Sequence, residues 1–246
     1  MFLDTVETIK EGVGFSLFDK THLTWILAFI ISAIAIPLIY RKASVKVRNV
    51  MRITVASLIL LDEVWKWVFL FVGNRYEHSY LPLHLCSINV FLVALHLFKR
   101  PKVIDNFLYA ICIPAGVIAL LTPSWTALPP ANFMHIHSFS IHILLAIYPL
   151  MLTVGGDIKP KPKMAPKCLL LLLCMGIAVL AVNFLCDTNF MFLMRTDDIS
   201  FLVLFENIFG AHQWAFPILL PIVMMIMYLP IITINNMKRK SYGSKL

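Results

Sequence analysis

An all-α, polytopic membrane protein is the fold class this sequence predicts, on three observations. Of the 246 residues, 60% are hydrophobic and only 14% are charged, against about 45–50% and about 25% in soluble domains. The mean hydropathy is +0.84. The apolar residues gather into seven runs: 22–40, 51–73, 81–98, 103–122, 136–154, 168–186 and 212–235. Each is close to the roughly 20 residues that cross about 30 Å of hydrocarbon at about 1.5 Å per residue. Lipid cannot satisfy an open backbone N–H or C=O, so such runs are helices. The same composition excludes disordered, collagen-like and small disulfide-stapled chains. No internal repeat interrupts the pattern, and residues 1–246 read as one seven-helix transmembrane domain.

Residues 1–21 mix Val6, Ile9, Val13 and Phe15 with Asp4, Glu7, Glu11 and Asp19. This is an interfacial amphipathic segment, read as a surface-lying helix; its functional reading is a lid over an outer cavity. No basic stretch precedes a short apolar core, so a cleaved signal peptide is not expected. Run one is followed by Arg41, Lys42, Lys46, Arg48 and Arg52, and run three by Lys99, Arg100 and Lys102. Run five is followed by Lys159, Lys161, Lys163 and Lys167, and run seven by Lys238, Arg239, Lys240 and Lys245. The opposite side of this alternation holds only Lys10, Lys20, Arg75 and Arg195. Retention of Lys and Arg in the cytoplasm then puts the amino terminus outside and the carboxyl terminus inside.

The net charge of +8 is this asymmetry, and no nucleic-acid partner is expected, because no basic stripe alternates with exposed aromatics. Five cysteines include no CxxC pair, and most sit in apolar runs where a thiol serves as a small hydrophobe. The stretch 187–211, with Phe190, Met191, Phe192 and Leu193, is too apolar for a solvated loop. It is expected to be an interfacial or re-entrant segment.

Ionisable residues within spans are costly unless paired or wetted, so each marks a candidate site. Run two carries Asp62, Glu63 and Lys66; Glu63 and Lys66 at i,i+3, or Asp62 and Lys66 at i,i+4, share a helical face. Either reading of that cluster stands, a buried ion pair locking the bundle or a part in chemistry. Run three opens with Pro82, His84, Cys86, Ser87 and Asn89; run five opens with His135, His137, Ser138 and His142. Run six closes on Asn183 and Cys186, with Asn189 beyond, and His212 starts run seven. Cys86 and His142 both lie roughly 7–9 Å below their helix entrances. The inner halves of these helices are apolar apart from His96, which is expected to be solvated at the inner surface. The polar residues therefore converge on a hydrated pocket in the outer half of the bundle.

A thiol and an imidazole at one depth are the minimum for nucleophilic acyl transfer: the imidazole takes the thiol proton and the thiolate attacks a carbonyl. Asn89, Ser87 or Asn183 can orient the imidazole or stabilise the oxyanion. The plainer alternatives are an inert buried thiol at Cys86 and a satisfied core histidine at His142, with His135 and His137 solvated at the interface. A rival reading is a zinc-dependent seven-helix lipid hydrolase, with ligands from His84, His135, His142 and His212 and from Asp62, Glu63 or Asp187. A further rival is a non-enzymatic binding or transport protein; it lacks a hydrophilic path through the inner half and any sign of inverted repeats.

Three strings carry a family likeness: Phe18-Asp19-Lys20-Thr21-His22, Leu81-Pro82-Leu83-His84-Leu85-Cys86, and Thr188-Asn189-Phe190-Met191-Phe192-Leu193. Together they resemble the YwaF family of bacterial integral membrane proteins, over nearly the whole chain. That family is similar in turn to eukaryotic Cys/His transmembrane acyltransferases of ether-phospholipid remodelling, and these to the androgen-induced membrane hydrolases, where Thr replaces Cys. The resemblance implies Cys86 as nucleophile and His142 as its base. It also implies supporting roles for Glu63, Lys66, Asn89, Asn183 and Asn189, acyl lipids or membrane phospholipids as partners, no cofactor, and a multi-pass place in the bacterial plasma membrane. Ether lipids do not follow from it.

Overall fold

Helix signals in the chain begin at Asp19, whose carboxylate accepts the backbone N–H of His22 at 2.8 Å and caps helix α1 (Lys20–Lys42). The His22 and Ser16 amides hold that carboxyl below the usual carboxylate range, so this cap is intact at neutral pH and is lost in acid as Asp19 protonates. Two residues later Ser44 caps α2 (Val45–Val72). The computed structural model describes residues 1–197 and 199–243. Among them every regular element is helical: α1 and α2 are followed by α3 (Leu85–Phe98), α4 (Lys102–Leu121), α5 (Phe133–Gly155), α6 (Ala165–Cys186), α7 (Ser200–Phe209) and α8 (Ala215–Gly243).

Each of the seven apolar runs lies in a helix of its own. Five helical stretches are long and apolar enough to cross a membrane: Lys20–Lys42, Lys102–Leu121, Phe133–Gly155, Pro162–Cys186 and His212–Ile234. The other two fall short for opposite reasons. Helix α2 has the length but carries Asp62, Glu63 and Lys66, whereas α3 is apolar but has only 14 residues, about 21 Å. Exposed Leu27, Ile30, Ile31 and Ile34 on α1 and Leu170, Leu173 and Ile177 on α6 form the outward apolar surface of an integral membrane protein.

Helix α5 is the hub on which α1, α2 and α4 pack. Helix α4 contains a π turn at Leu108–Cys112. The turn lies just before Pro114, which has no N–H to offer the preceding turn, and a π-bulge absorbs that lost bond. Gly116, one turn on, lets α4 close on α5: a Cβ there would stand 3.0 Å from the His142 carbonyl oxygen and 3.2 Å from the Ala146 Cβ.

Two local expectations change, those for residues 1–19 and for His96. Residues 1–19 form successive turns rather than a surface helix, because the chain is tied down piecewise: Asn132 Nδ2 donates to the carbonyls of Met1 and Asp4, and Phe15 N–H to that of Thr126. The stretch 187–211 holds a 3-10 turn at Phe190–Phe192 and the helix α7. His96 is not solvated but fully buried, its Nδ1 3.0 Å from the Tyr148 hydroxyl and its Nε2 2.9 Å from Asp105 Oδ1. Neighbouring Asn106 Oδ1 accepts from the Lys161 amide and the Tyr228 hydroxyl. A hydrogen-bonded layer thus ties α3, α4, α5 and α8 together where the sequence pattern suggested water.

Replacing His96 with Ala leaves the Tyr148 hydroxyl and the Asp105 carboxylate without their partner, at about 1–3 kcal/mol. The thermal midpoint of the detergent-solubilised protein should fall, and an unchanged midpoint would show that this layer adds no stability.

Candidate active site

Pro82 and an extended His84 set the start of α3, which places Cys86 in its first turn. His142 lies on α5, almost fully buried. The two side chains line one cavity from separate helices, near enough for thiol and imidazole to interact. The His142 Nδ1 is 2.6 Å from the carbonyl oxygen of Ser138, one turn back. A carbonyl only accepts, so Nδ1 carries the proton and Nε2 is left with a free lone pair. That is the tautomer a base needs. The Trp125 ring lies 5.1 Å from the imidazole and nearly parallel to it, at 11°, and fixes the plane of the ring from the other side.

The other polar residues of α2 and α5 pair nearby. Glu63 Oε1 accepts from Lys66 Nζ at 2.5 Å and from Trp67 Nε1 at 3.2 Å, so the i,i+3 spacing closes a buried ion pair. Asp62 Oδ2 and His137 Nδ1 approach to 2.9 Å without hydrogen-bond alignment. His137 is therefore buried rather than solvated. His135 is buried too, between the Trp25 indole N–H at 3.0 Å and the Leu128 carbonyl at 3.0 Å, because the turns of the amino-terminal segment and the 122–132 loop cover the start of α5. Asn89, one turn after Cys86, is buried with no partner for its Oδ1 among the described residues.

Asn183, Asn189 and His212 do not reach the pair. Their hydrogen bonds go to the 187–195 loop. Asn183 accepts from the Phe190 amide at 2.8 Å and the Thr188 hydroxyl at 3.0 Å, and donates to the Phe190 carbonyl. Asn189 Oδ1 accepts the amides of Met194 and Arg195, and His212 Nε2 is 3.0 Å from the Phe192 carbonyl. These bonds hold Met191 and Phe192 at φ 57° and 56°, a left-handed backbone that bulky residues avoid. The loop so held meets His84: the Met191 amide is 3.4 Å from His84 Nδ1, and the Phe190 and Phe192 rings flank the imidazole. His84 thus joins the loop to the start of α3.

A cavity of about 1620 Å³ surrounds these groups, with Glu63, Lys66, His84, Cys86, Ser138 and His142 among its lining. Among the described residues no three His, Cys, Asp or Glu side chains come together as metal ligands; the four histidines of the zinc reading have separate partners. Trp125 and Gly116 were missed from sequence. Trp125 lies in a Pro-rich loop with no period to place it, and Gly116 acts by lacking a side chain.

The model of the TMEM164 family matches residues 17–230. The chain belongs to the TMEM164 family. The matched stretch of this TMEM164 member includes Cys86, His142 and the whole 187–195 loop. No curated protein and no solved structure matches it.

Removing the Asn183 side chain opens three buried hydrogen bonds at the turn that carries Met191 and Phe192. In the TMEM164 member, Asn183→Ala should speed proteolytic cleavage within residues 187–197, and cleavage at the wild-type rate would mean that the turn holds itself.

Proposed function

We propose that this TMEM164 member is a lipid acyltransferase that works through a Cys86 thioester. The observation that carries the reading is the approach of Cys86 and His142 in one cavity, with Nδ1–H committed to the Ser138 carbonyl. The resemblance of Leu81–Cys86 to the Cys/His acyltransferases points the same way.

His142 Nε2 takes the Cys86 proton as the sulfur attacks an ester carbonyl of an acyl lipid. The tetrahedral intermediate collapses to the Cys86 thioester, and the departing lipid alkoxide takes the proton from His142. A hydroxyl of a second lipid then attacks the thioester while Nε2 accepts its proton, and the thiol reforms on receiving that proton back. Water in place of the second lipid gives hydrolysis. Leu85, Cys86 and Ser87 precede the first backbone bond of α3, from Ile88 N–H to the His84 carbonyl at 3.0 Å. Their N–H groups have no intrahelical acceptor and suit an oxyanion. Asn89 supplies a further amide, and the Glu63–Lys66 pair a fixed dipole at the polar end of the cavity. Glycerophospholipids are the substrate class. The seven helices that carry the apolar runs cross the bacterial plasma membrane in this reading, α2 and the short α3 shielded by their neighbours, with the amino terminus outside.

In proteoliposomes with a clickable acyl phospholipid, the wild type should form a hydroxylamine-sensitive adduct on the peptide bearing Cys86. Cys86→Ala should lose both adduct and transfer, and His142→Ala should slow transfer by about 10²–10⁴-fold. Transfer at the wild-type rate by Cys86→Ala would remove the nucleophile.

A further inference from the structure

The cavity does not end at the polar groups. Helix α8 is fixed at two places. Near its start, His212 and Gln213 bond the carbonyls of Phe192 and Leu193. Lower down, the Tyr109 hydroxyl donates to the Met227 carbonyl, and the Tyr228 hydroxyl to Asn106. Helix α6 is likewise held at its ends, by the start of α4 and by the 190–192 turn. Between these attachments α6 and α8 barely touch. The intervening stretches line the same cavity as Cys86, with Leu169, Leu172 and Gly176 on α6 and Leu220, Val223 and Met224 on α8. Every one of these side chains is apolar. Leu170 and Leu173, 60% and 59% exposed, line it too, so the gap reaches the outward face of the bundle. Gly176 sits on the inward stripe of α6 with Leu172, Val179 and Asn183, all buried, yet a Cβ there would meet nothing within 4 Å. The stripe is broken at one position, and open space lies in front of it.

We infer that this slot between α6 and α8 is the acyl-chain subsite: a long-chain phospholipid enters from the bilayer sideways, lays one acyl chain past Gly176, and brings its ester to Cys86. The inference rests on the acyl-transfer reading for the role of Cys86 and goes beyond it in naming the route and the chain-selecting residue. Residues 169 to 176 give the slot about 10 Å of length along α6, walled by methyl and methylene groups on both sides. Each methylene taken up there is transferred from lipid to a protein surface of the same polarity, so the slot costs little to enter and discriminates by space. A Cβ at residue 176 enters that space without backbone strain and meets no neighbour within 4 Å.

The test uses Gly176→Phe, with Leu220→Trp as a second filling of the slot from the other wall. In proteoliposomes, a phosphatidylglycerol with a diazirine in mid-chain should crosslink wild type within 169–176 and 217–224. Both variants should lose that crosslink by about tenfold while Cys86 still reacts with iodoacetamide at the wild-type rate. Turnover should split the same way, the long-chain phospholipid falling and a short-chain ester such as p-nitrophenyl acetate holding within about twofold. Wild-type crosslinking by both filled variants overturns the slot. So does an equal fall of both substrates, which would place the damage at the reacting pair. If Cys86→Ala keeps transfer while the filled variants lose the crosslink, the thioester reading fails and the slot stands as a lipid-binding site.

Discussion

The hydrogen bond from His142 Nδ1 to the Ser138 carbonyl settles more than the position of one ring. It joins a side chain to the backbone of its own helix, so the imidazole moves only if α5 moves, and α5 is the helix on which α1, α2 and α4 are packed. Gly116 brings α4 against the carbonyl of His142 itself, and Trp125 stacks on the outer face of the ring. The short helix α3 brings Cys86 into the same cavity. The geometry of the pair is thus a consequence of helix packing, with little left to loop flexibility.

Polar side chains inside an apolar bundle must find partners, and here they do so in two layers. At the end of the bundle holding Cys86, Glu63 meets Lys66 and Asp62 meets His137, while at the other end His96, Tyr148, Asp105, Asn106 and Tyr228 form a connected set. Breaking a buried pair is far more costly than never having made it, so both layers resist change. The second layer also fixes the lower half of α8, which leaves its upper half free to stand away from α6. The slot is therefore framed by hydrogen bonds that never touch it.

Much of the candidate site was legible in the sequence. Cys86 and His142 stood out because each was a reactive group at the same depth in a run otherwise apolar, and depth along a helix follows from counting residues. Spacing allowed Lys66 to pair with Glu63 or with Asp62, and the structure pairs it with Glu63. The asparagines were harder to place: Asn183 was expected to orient the imidazole or stabilise the oxyanion and Asn189 to support the site, and the structure spends their amides on the Met191–Phe192 turn. A polar residue near a helix end serves a loop as readily as a pocket, and composition does not distinguish the two. His96, His135 and His137 were expected to be wet for a related reason. Nearness to a helix end suggests water, but the chain segments that exclude it are remote in sequence.

Composition and periodicity by themselves determined the solvent, the helical class and the seven apolar segments, and they singled out Cys86 and His142 as candidates, because each depends on local counts of apolar and polar atoms. Tertiary structure alone decided which polar groups share the cavity with Cys86, which amides are already spent, and where two helices stand apart. Those depend on which distant segments share a boundary, and in a bundle of similar apolar helices that is fixed by small absences, a glycine at 116 or at 176, as much as by any side chain.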